Sequence, residues 1–216
     1  MQSPYETEIK IIVVGNGRVG KTCLINRFAN GLFLTEYRKT LGADFLERRT
    51  YIESVGDTLT FFLWDTAGQE EYDCITRSYY KGAGCAIVAF SLVDIVSFQA
   101  VPGWVQKVRD ECGTIPIVLV QTKTDLQSEA VVSARDTDDL SQRLGCKLFR
   151  VCSVNNVNID QVFEQLSLDY VRARDRGTRS SERLEAFQRS LAPASRLPKK
   201  LSLKSSIEKH KSSCST

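Results

Sequence analysis

The segment GNGRVGKT at residues 15–22 is the feature that most constrains how this chain folds. The apolar run IKIIVVG leads directly into it, and residues 21–30 follow with apolar side chains at helical spacing. This order predicts a strand, a glycine-rich turn and a helix. A fold that begins in this way places a helix N-terminus at the end of a buried strand.

Strands and helices alternate through the rest of the sequence. Two alternating runs at 43–52 and 59–64 flank Gly56 and Asp57, which predicts a hairpin. The runs CAIVAFS, IPIVLVQ and KLFRVCS then alternate with helical patterns at 96–110, 134–144 and 159–174. Runs that are apolar on both faces indicate parallel strands covered by helices. We therefore predict an α/β fold with a six-stranded, mostly parallel sheet, helices on both faces and one antiparallel edge.

Length and charge divide the chain into a domain and a tail. The 216 residues suffice for one substantial core. Residues 172–216 carry 12 of the 29 Lys and Arg and 4 of the 26 acidic residues, a net charge of +8 (12 minus 4), against −5 for the remainder (17 minus 22). We predict an N-terminal extension at 1–6, a folded domain at 7–174 and a disordered basic tail at 175–216, in which residues 182–191 would form a short helix only with a partner. A mobile cationic tail favours an anionic membrane surface over nucleic acid.

Cysteine, histidine and hydropathy bound the compartment and the chemistry. The seven cysteines show no paired CxxC spacing, which indicates free thiols in a reducing compartment. The one histidine, His210, lies in the tail, so no imidazole base is expected in the domain. No apolar stretch reaches the roughly 18–20 residues of a membrane span, and the acidic start MQSPYETE is unlike a signal peptide. We expect a cytoplasmic protein, with any membrane contact made through a lipid.

Residues 15–22 match the pattern GxxxxGKT of a phosphate-binding loop. Backbone amides of such a loop and of the helix N-terminus cradle phosphate oxygens, Lys21 reaches the β and γ phosphates, and the Thr22 hydroxyl is a ligand for Mg²⁺. A glycine-rich turn without a ligand is the alternative. The predicted nucleotide-binding residues here are Gly15, Gly17, Arg18, Val19, Gly20, Lys21, Thr22 and Cys23.

The motif DTAGQE at residues 65–70 follows the second hairpin strand. Asp65 is expected at the carboxyl end of that strand, where it would hold Mg²⁺ through water. Gly68 would offer its amide to the γ phosphate, and Gln69 would orient the attacking water as the catalytic residue. A structural turn without chemistry is the alternative.

The ends of two later strands carry a pattern for base recognition. The carboxylate of Asp125 would accept hydrogen bonds from guanine N1 and the exocyclic amine, a pair of donors that adenine does not present. A backbone amide after the last strand would meet guanine O6. Taken alone, the motif TKTD, which contains Asp125, is equally consistent with an ordinary surface loop. The predicted base-binding residues are Thr122, Lys123, Asp125, Ser153, Val154 and Asn155.

In this order GNGRVGKT, DTAGQE, TKTD and CSV resemble the Ras superfamily of small GTPases over about residues 7–174. TLGADF, LWDTAGQE and YYKGA are similar to signatures of the Rab family. KTLGADFLER, DTAGQEEYDCIT and IPIVLVQTKTDL look most like the Rab branch associated with cilia and Hedgehog signalling. The resemblance implies the P-loop small GTPase fold, GTP and GDP as ligands, Mg²⁺ as cofactor, and a role in vesicle or membrane trafficking.

The resemblance also implies roles for single positions. Phe33 would stack on the guanine, Tyr37 would shield the phosphates, and Thr40 would close onto Mg²⁺ and the γ phosphate. Thr40 and Gly68 would lie in two loops that are ordered only while the γ phosphate is present. An aromatic effector surface is implied as well, with ordinary core packing as the alternative; its residues are Phe45, Trp64 and Tyr79.

The sequence departs from the family pattern at three places. The usual asparagine of the base motif is Thr122, as in Rho proteins, so guanine specificity should persist with weaker coupling to the phosphate loop. The usual SAK is Ser153, Val154 and Asn155, and binding through the backbone should persist with lower affinity. Arg18 is expected to be solvated and not a built-in arginine finger, so fast hydrolysis needs an activating protein.

The tail ends in SSCST after several lysines. Cys214 is the candidate for prenylation, although CST is one residue shorter than the four-residue prenylation box. A lipid beside basic residues would form a reversible anchor, and a plain solvated tail is the alternative. The expected partners are guanine nucleotide, an effector, an exchange factor, a GTPase-activating protein and a membrane, with no nucleic acid. The chain is expected to be a monomer.

These features predict a small GTPase that binds GTP with Mg²⁺, hydrolyses it slowly and recruits partners in the GTP state. A nucleotide-dependent binding module with little turnover is the alternative, because Thr122 and Asn155 would weaken nucleotide binding. A P-loop ATPase or small-molecule kinase is disfavoured, since no arginine-rich lid follows and TKTD favours guanine.

Overall fold

The structure is a computed structural model that describes residues 7–34, 36, 40, 43–66 and 78–191. The predicted N-terminal extension and the tail from residue 192 lie outside these residues. In chain order the elements are β1 (Thr7–Val14), α1 (Lys21–Asn30), β2 (Ala43–Ile52), β3 (Asp57–Thr66), β4 (Cys85–Ser91), α2 (Ile95–Gln99), α3 (Val101–Cys112), β5 (Ile117–Thr122), a 3-10 turn (Gln127–Glu129), α4 (Ala134–Leu144), β6 (Lys147–Arg150) and α5 (Ile159–Leu191).

One six-stranded sheet has the strand order β2-β3-β1-β4-β5-β6. β1 pairs in parallel with β3 and β4, and β5 pairs in parallel with β4 and β6. β2 pairs with β3 in the antiparallel sense from Ile52 opposite Asp57 to Ala43 opposite Thr66, and it forms the edge. The predicted fold class, with one antiparallel edge made by the hairpin, is therefore confirmed.

Each face of the sheet has its own hydrophobic core. On one face, α1 and α5 pack on β1 and β3, and the rings of Phe28 and Phe163 stack with centroids 3.6 Å apart. On the other face, Trp104 and Val108 of α3 and Leu140 of α4 pack against Ile12 and its neighbours. Every residue of β4 is buried, because this strand is central and helices cover both of its faces.

The predicted helix at 96–110 is two helices in the structure, with a break at Ala100. Asp94 caps α2 by accepting from the amides of Val96 and Ser97 at 3.0 and 3.1 Å. Pro102 has no amide proton, so it cannot continue a helix that arrives from α2, but it is well suited to the first turn of a new one. The helical spacing of apolar residues across 96–110 did not indicate this break.

The last helix continues to Leu191, beyond the predicted end at residue 174. The expectation of disorder from residue 175 is therefore wrong for residues 175–191. Ten of these 17 residues are Arg, Glu, Leu, Ala or Gln, and the first proline comes only at Pro193, so local propensity favours helix. The chain divides into two units at 1–177 and 178–216, and the sheet with both cores belongs to the first. Within the described residues, no helix has the length and apolar character needed to cross a membrane.

Candidate nucleotide-binding site

The glycine loop between β1 and α1 passes so close to β4 that its first residue must be glycine. Gly15 has φ 139°, and a Cβ built there would lie 2.1 Å from the carbonyl oxygen of Ala89. Gly20 precedes α1 with φ 96°, and α1 has neither a side-chain cap nor an acidic residue in its first turn. The N-terminal amides of α1 are thus left for an external anion, as in phosphate-binding helices.

Lys21 lies across the loop and is 5% exposed. Its Nζ donates to the carbonyl oxygens of Gly15 and Asn16, each at 2.8 Å. Burial lowers the pKa of Lys21 to about 8, and the negative charge of Asp65 opposes that shift. An ammonium has three donors, so one remains for a phosphate oxygen.

Trp104 of α3 fixes the same loop from the other side. Its indole Nε1 donates to Asn16 Oδ1 at 2.8 Å. Asn16 therefore joins α3 to the loop through its side chain while its carbonyl accepts from Lys21. The sequence reasoning did not assign either Asn16 or Trp104, and only the position of Asn16 inside GNGRVGKT pointed to it.

Thr22, Thr40 and Asp65 come together at the carboxyl end of β3. The Thr22 hydroxyl donates to Asp65 Oδ2 at 2.5 Å, and Thr40 Oγ1 lies 3.3 Å from the same oxygen and 3.2 Å from Thr22 Oγ1. Burial raises the pKa of the Asp65 carboxyl, and the hydrogen bond from Thr22 opposes this. These three side chains are the ones expected to bind the metal.

The arrangement fits a magnesium ion by its chemistry. Asp65 is fully buried, and among the described residues its Oδ1 accepts no hydrogen bond. A buried carboxylate oxygen without a partner is costly, and a cation at the two hydroxyls and this carboxylate would satisfy it. All three groups present oxygen, the ligand atom that Mg²⁺ prefers.

The remaining residues of the glycine loop occupy different environments. Val19 is fully buried, Gly17 is partly exposed, and Arg18 is exposed with φ 63°. Cys23 on α1 donates from Sγ to the Leu34 carbonyl at 3.8 Å, and burial raises the pKa of its thiol. Phe33, the residue expected to stack on guanine, is half-buried next to Leu34.

The base motif after β5 is tied to the phosphate loop by Thr122. This residue is 2% exposed, and its Oγ1 lies 2.5 Å from the carbonyl oxygen of Val19 and 3.1 Å from that of Phe90. A hydroxyl has one proton, so it donates to one of these oxygens at a time. The threonine thus retains a direct link between the base motif and the phosphate loop.

The contacts of Asp125 reveal a residue that the sequence reasoning missed. Cys152 is buried, and its Sγ donates to Asp125 Oδ1 at 3.2 Å and accepts from the Asn155 amide at 3.3 Å. The Asn155 amide is therefore already bonded, so Ser153 and Val154 are left as candidate amides for guanine O6. The candidate base-binding residues after β6 therefore begin at Cys152, one residue before the predicted Ser153.

The three aromatic residues of the predicted effector surface are neighbours. The ring centroids of Phe45 and Trp64 lie 5.5 Å apart, and those of Trp64 and Tyr79 lie 5.6 Å apart. Phe45 is 52% exposed, which ordinary core packing does not produce. Lys10 Nζ lies 4.5 Å from the centroid of a Trp64 ring. Phe45, Trp64 and Tyr79 form what we call the aromatic surface.

Four of the predicted site residues lie outside the described residues: Tyr37, Gly68, Gln69 and Cys214. Lys123 is described. Lys123 has φ 58°, and its carbonyl accepts from the Leu126 amide at 3.0 Å, which forms the turn that carries Asp125.

Comparison with known proteins identifies the family. Residues 10–171 match the model of the Ras family. Over 195 residues the chain is 31% identical to the Ras-related protein Rab-13 of Mesocricetus auratus. The aligned region covers 90% of this chain and 95% of that protein. Over 164 residues it is 35% identical to the Ras-related protein RABD2b of Arabidopsis thaliana, with 76% of this chain and 80% of that protein covered. The chain belongs to the Ras family, in its Rab branch.

As a Rab GTPase, the chain binds GTP and GDP with Mg²⁺ and hydrolyses GTP to GDP and phosphate. It is a small GTPase of membrane trafficking. The predicted resemblance to the Ras superfamily and to the Rab family is therefore confirmed.

Proposed function

We propose that this Rab GTPase works as a switch whose two states differ in the contacts of Thr40. The supporting observation is that Thr40, from the segment between α1 and β2, meets Thr22 of α1 and Asp65 of β3 at a single point. The contacts open to Thr40 therefore depend on what occupies that point. Loss of the γ phosphate would release Thr40 and change the neighbouring surface.

The proposed metal ligands are the hydroxyls of Thr22 and Thr40, with Asp65 acting through water. Mg²⁺ bound there would neutralise charge on the β and γ phosphates. Lys21 would bind the phosphates through its remaining donor. Asp125 would select guanine, and Phe33 would stack on the base.

Slow hydrolysis is part of the proposal. Gln69 would orient the attacking water, and Gly68 would donate its amide to the γ phosphate, while Tyr37 would shield the phosphates. The guanidinium of Arg18 is exposed, so we assign the charge needed for fast turnover to a GTPase-activating protein. A binding module with little turnover would keep nucleotide binding without this acceleration.

The aromatic surface is the proposed docking site for effectors. Its exposed Phe45 and the half-buried Trp64 and Tyr79 offer rigid apolar area next to the segment of Thr40. Exchange factors and activating proteins would bind the same side of the molecule. We propose that the chain acts as a monomer and does not bind nucleic acid.

A lipid on Cys214, with nearby lysines, would hold the protein reversibly on the cytoplasmic face of a membrane. Replacing Cys214 with Ser should move the protein into the soluble fraction of a cell lysate, and unchanged sedimentation with membranes would contradict lipidation.

From the segments KTLGADFLER and IPIVLVQTKTDL we further infer a role in cilia or Hedgehog signalling. Absence of the tagged protein from cilia, with Hedgehog output unchanged on its depletion, would contradict that role.

The test of the switch is to identify the bound nucleotide and to follow a single turnover. The protein purified with Mg²⁺ should release guanine nucleotide on denaturation, and its GTP should be hydrolysed slowly. Gln69→Leu should keep GTP bound and slow hydrolysis by about a hundredfold or more, since water loses its orienting group. Bound adenine nucleotide would contradict the base assignment. Equal hydrolysis rates would remove Gln69 from the mechanism, and negligible turnover in both proteins would favour the binding module.

A further inference from the structure

Arg27 lies in the last turn of α1 and donates three hydrogen bonds to backbone carbonyl oxygens. Its Nε donates to Ser153 at 2.7 Å, its Nη2 to Val154 at 2.8 Å and its Nη1 to Gly31 at 2.7 Å. The first two acceptors follow β6, 126 and 127 residues away, and the third is the residue directly after α1. One side chain thus connects two segments that are distant in sequence.

Both segments border the proposed base site. Ser153 directly follows Cys152, whose thiol contacts Asp125. Gly31 lies two residues before Phe33, the residue assigned to the guanine ring. Because Arg27 holds the carbonyls of residues 153 and 154, it fixes the peptide planes that contain the neighbouring amides. Those include the Val154 amide, one of the two candidates for guanine O6.

The chemistry of these contacts suits a rigid support. A guanidinium presents its donors in a fixed planar fork, and hydrogen bonds from a charged donor are shorter and stronger than neutral ones. A lysine has a single nitrogen on a flexible stem, so it cannot reach three carbonyls on two segments in the same way. A cation in the last turn of a helix is also favoured by the helix dipole.

We propose that Arg27 is a positioning residue for guanine: it holds the segment after β6 and the segment leading to Phe33 at a fixed separation on either side of the base. This inference rests on the proposed guanine site. Arg27 belongs to the base side only, so its loss should speed nucleotide release while Mg²⁺ coordination and the hydrolysis step stay intact.

The experiment compares Arg27→Ala with Arg48→Ala in the full-length protein. Arg48 is a matched control because it donates to the Phe28 carbonyl near the same end of α1 and to Asp160 at the start of α5, away from residues 153 and 154. The release rate of a fluorescent GDP should rise about tenfold or more in Arg27→Ala, as expected for the loss of charged hydrogen bonds. It should stay within about twofold of wild type in Arg48→Ala. Arg27→Lys should fall between wild type and Arg27→Ala.

Two further readouts separate positioning from general loosening. The acceleration of GDP release by EDTA should be the same factor in Arg27→Ala as in wild type, and single-turnover hydrolysis of bound GTP should be unchanged. Hydrogen exchange at residues 153–155 should increase in Arg27→Ala and not in Arg48→Ala. Unchanged GDP release in Arg27→Ala, or equal acceleration in Arg48→Ala, would overturn the positioning role of Arg27 and leave the proposed guanine site standing. A wild-type protein that does not bind GDP would overturn the proposed guanine site as well.

Discussion

At the phosphate end of the site the backbone sets the shape, whereas at the base end side chains make the connections. Gly15 approaches Ala89 too closely for any Cβ, and α1 offers uncapped amides. At the base end, Thr122 contacts Val19, Cys152 contacts Asp125, and both do so through one polar atom. A close backbone approach such as that of Gly15 leaves no room for a side chain, while a hydrogen bond can be made by more than one kind of side chain. The departures from the family pattern accordingly lie mainly at the base end.

The largest expected effect is at Gly15, where Gly15→Ala places a Cβ against the Ala89 carbonyl. We expect GDP binding to weaken about a hundredfold, because either the loop or β4 must move. Isothermal titration with GDP and Mg²⁺ measures this, with circular dichroism to follow the fold. Gly56→Ala is the control, since Gly56 also has positive φ but no atom within 4 Å of a built Cβ. It should cost about 1 kcal/mol of unfolding free energy and leave GDP affinity unchanged. Similar GDP affinities for the two variants would show that the close approach to β4 is unimportant.

An intermediate effect is expected at Thr122, where Thr122→Val keeps the shape and removes the hydroxyl. The buried Val19 carbonyl would lose this donor, which costs about 1–3 kcal/mol and weakens GDP binding about tenfold. Thr124→Val is the control, because the Val151 carbonyl that accepts from its hydroxyl also accepts from the Thr124 amide. If Thr122→Val bound GDP as tightly as Thr124→Val, the link between the base motif and the phosphate loop would carry no affinity.

The smallest effects are expected at Cys152. Cys152→Ser keeps a donor for Asp125 and an acceptor for the Asn155 amide, so GDP affinity should stay within about threefold of wild type. Cys152→Ala removes both, and affinity should fall about fivefold, as expected for about 1 kcal/mol. The ratio of GDP to ADP affinity measured for each variant reports on Asp125 directly. A larger loss in Cys152→Ser than in Cys152→Ala would mean that the thiol does not support Asp125.

The sequence by itself determined the elements and the phosphate end. The predicted α1 at 21–30 and α4 at 134–144 agree with the structure residue for residue. Thr22 and Asp65 could be found because glycines and strand ends place them through local geometry. The local signals were misread at two places: Pro102 divides the helix predicted at 96–110, and the helix formers after residue 174 extend α5.

Tertiary structure alone decided which distant side chains support the base end and the phosphate loop. Cys152 and Asp125 are 27 residues apart, Trp104 and Asn16 are 88 apart, and Arg27 and Ser153 are 126 apart. No local pattern specifies such pairs, because they depend on the order of the strands and on the register in which β5 and β6 pair. A motif fixes which atoms lie near one turn of the chain. The assembled sheet determines which distant side chain supports that turn.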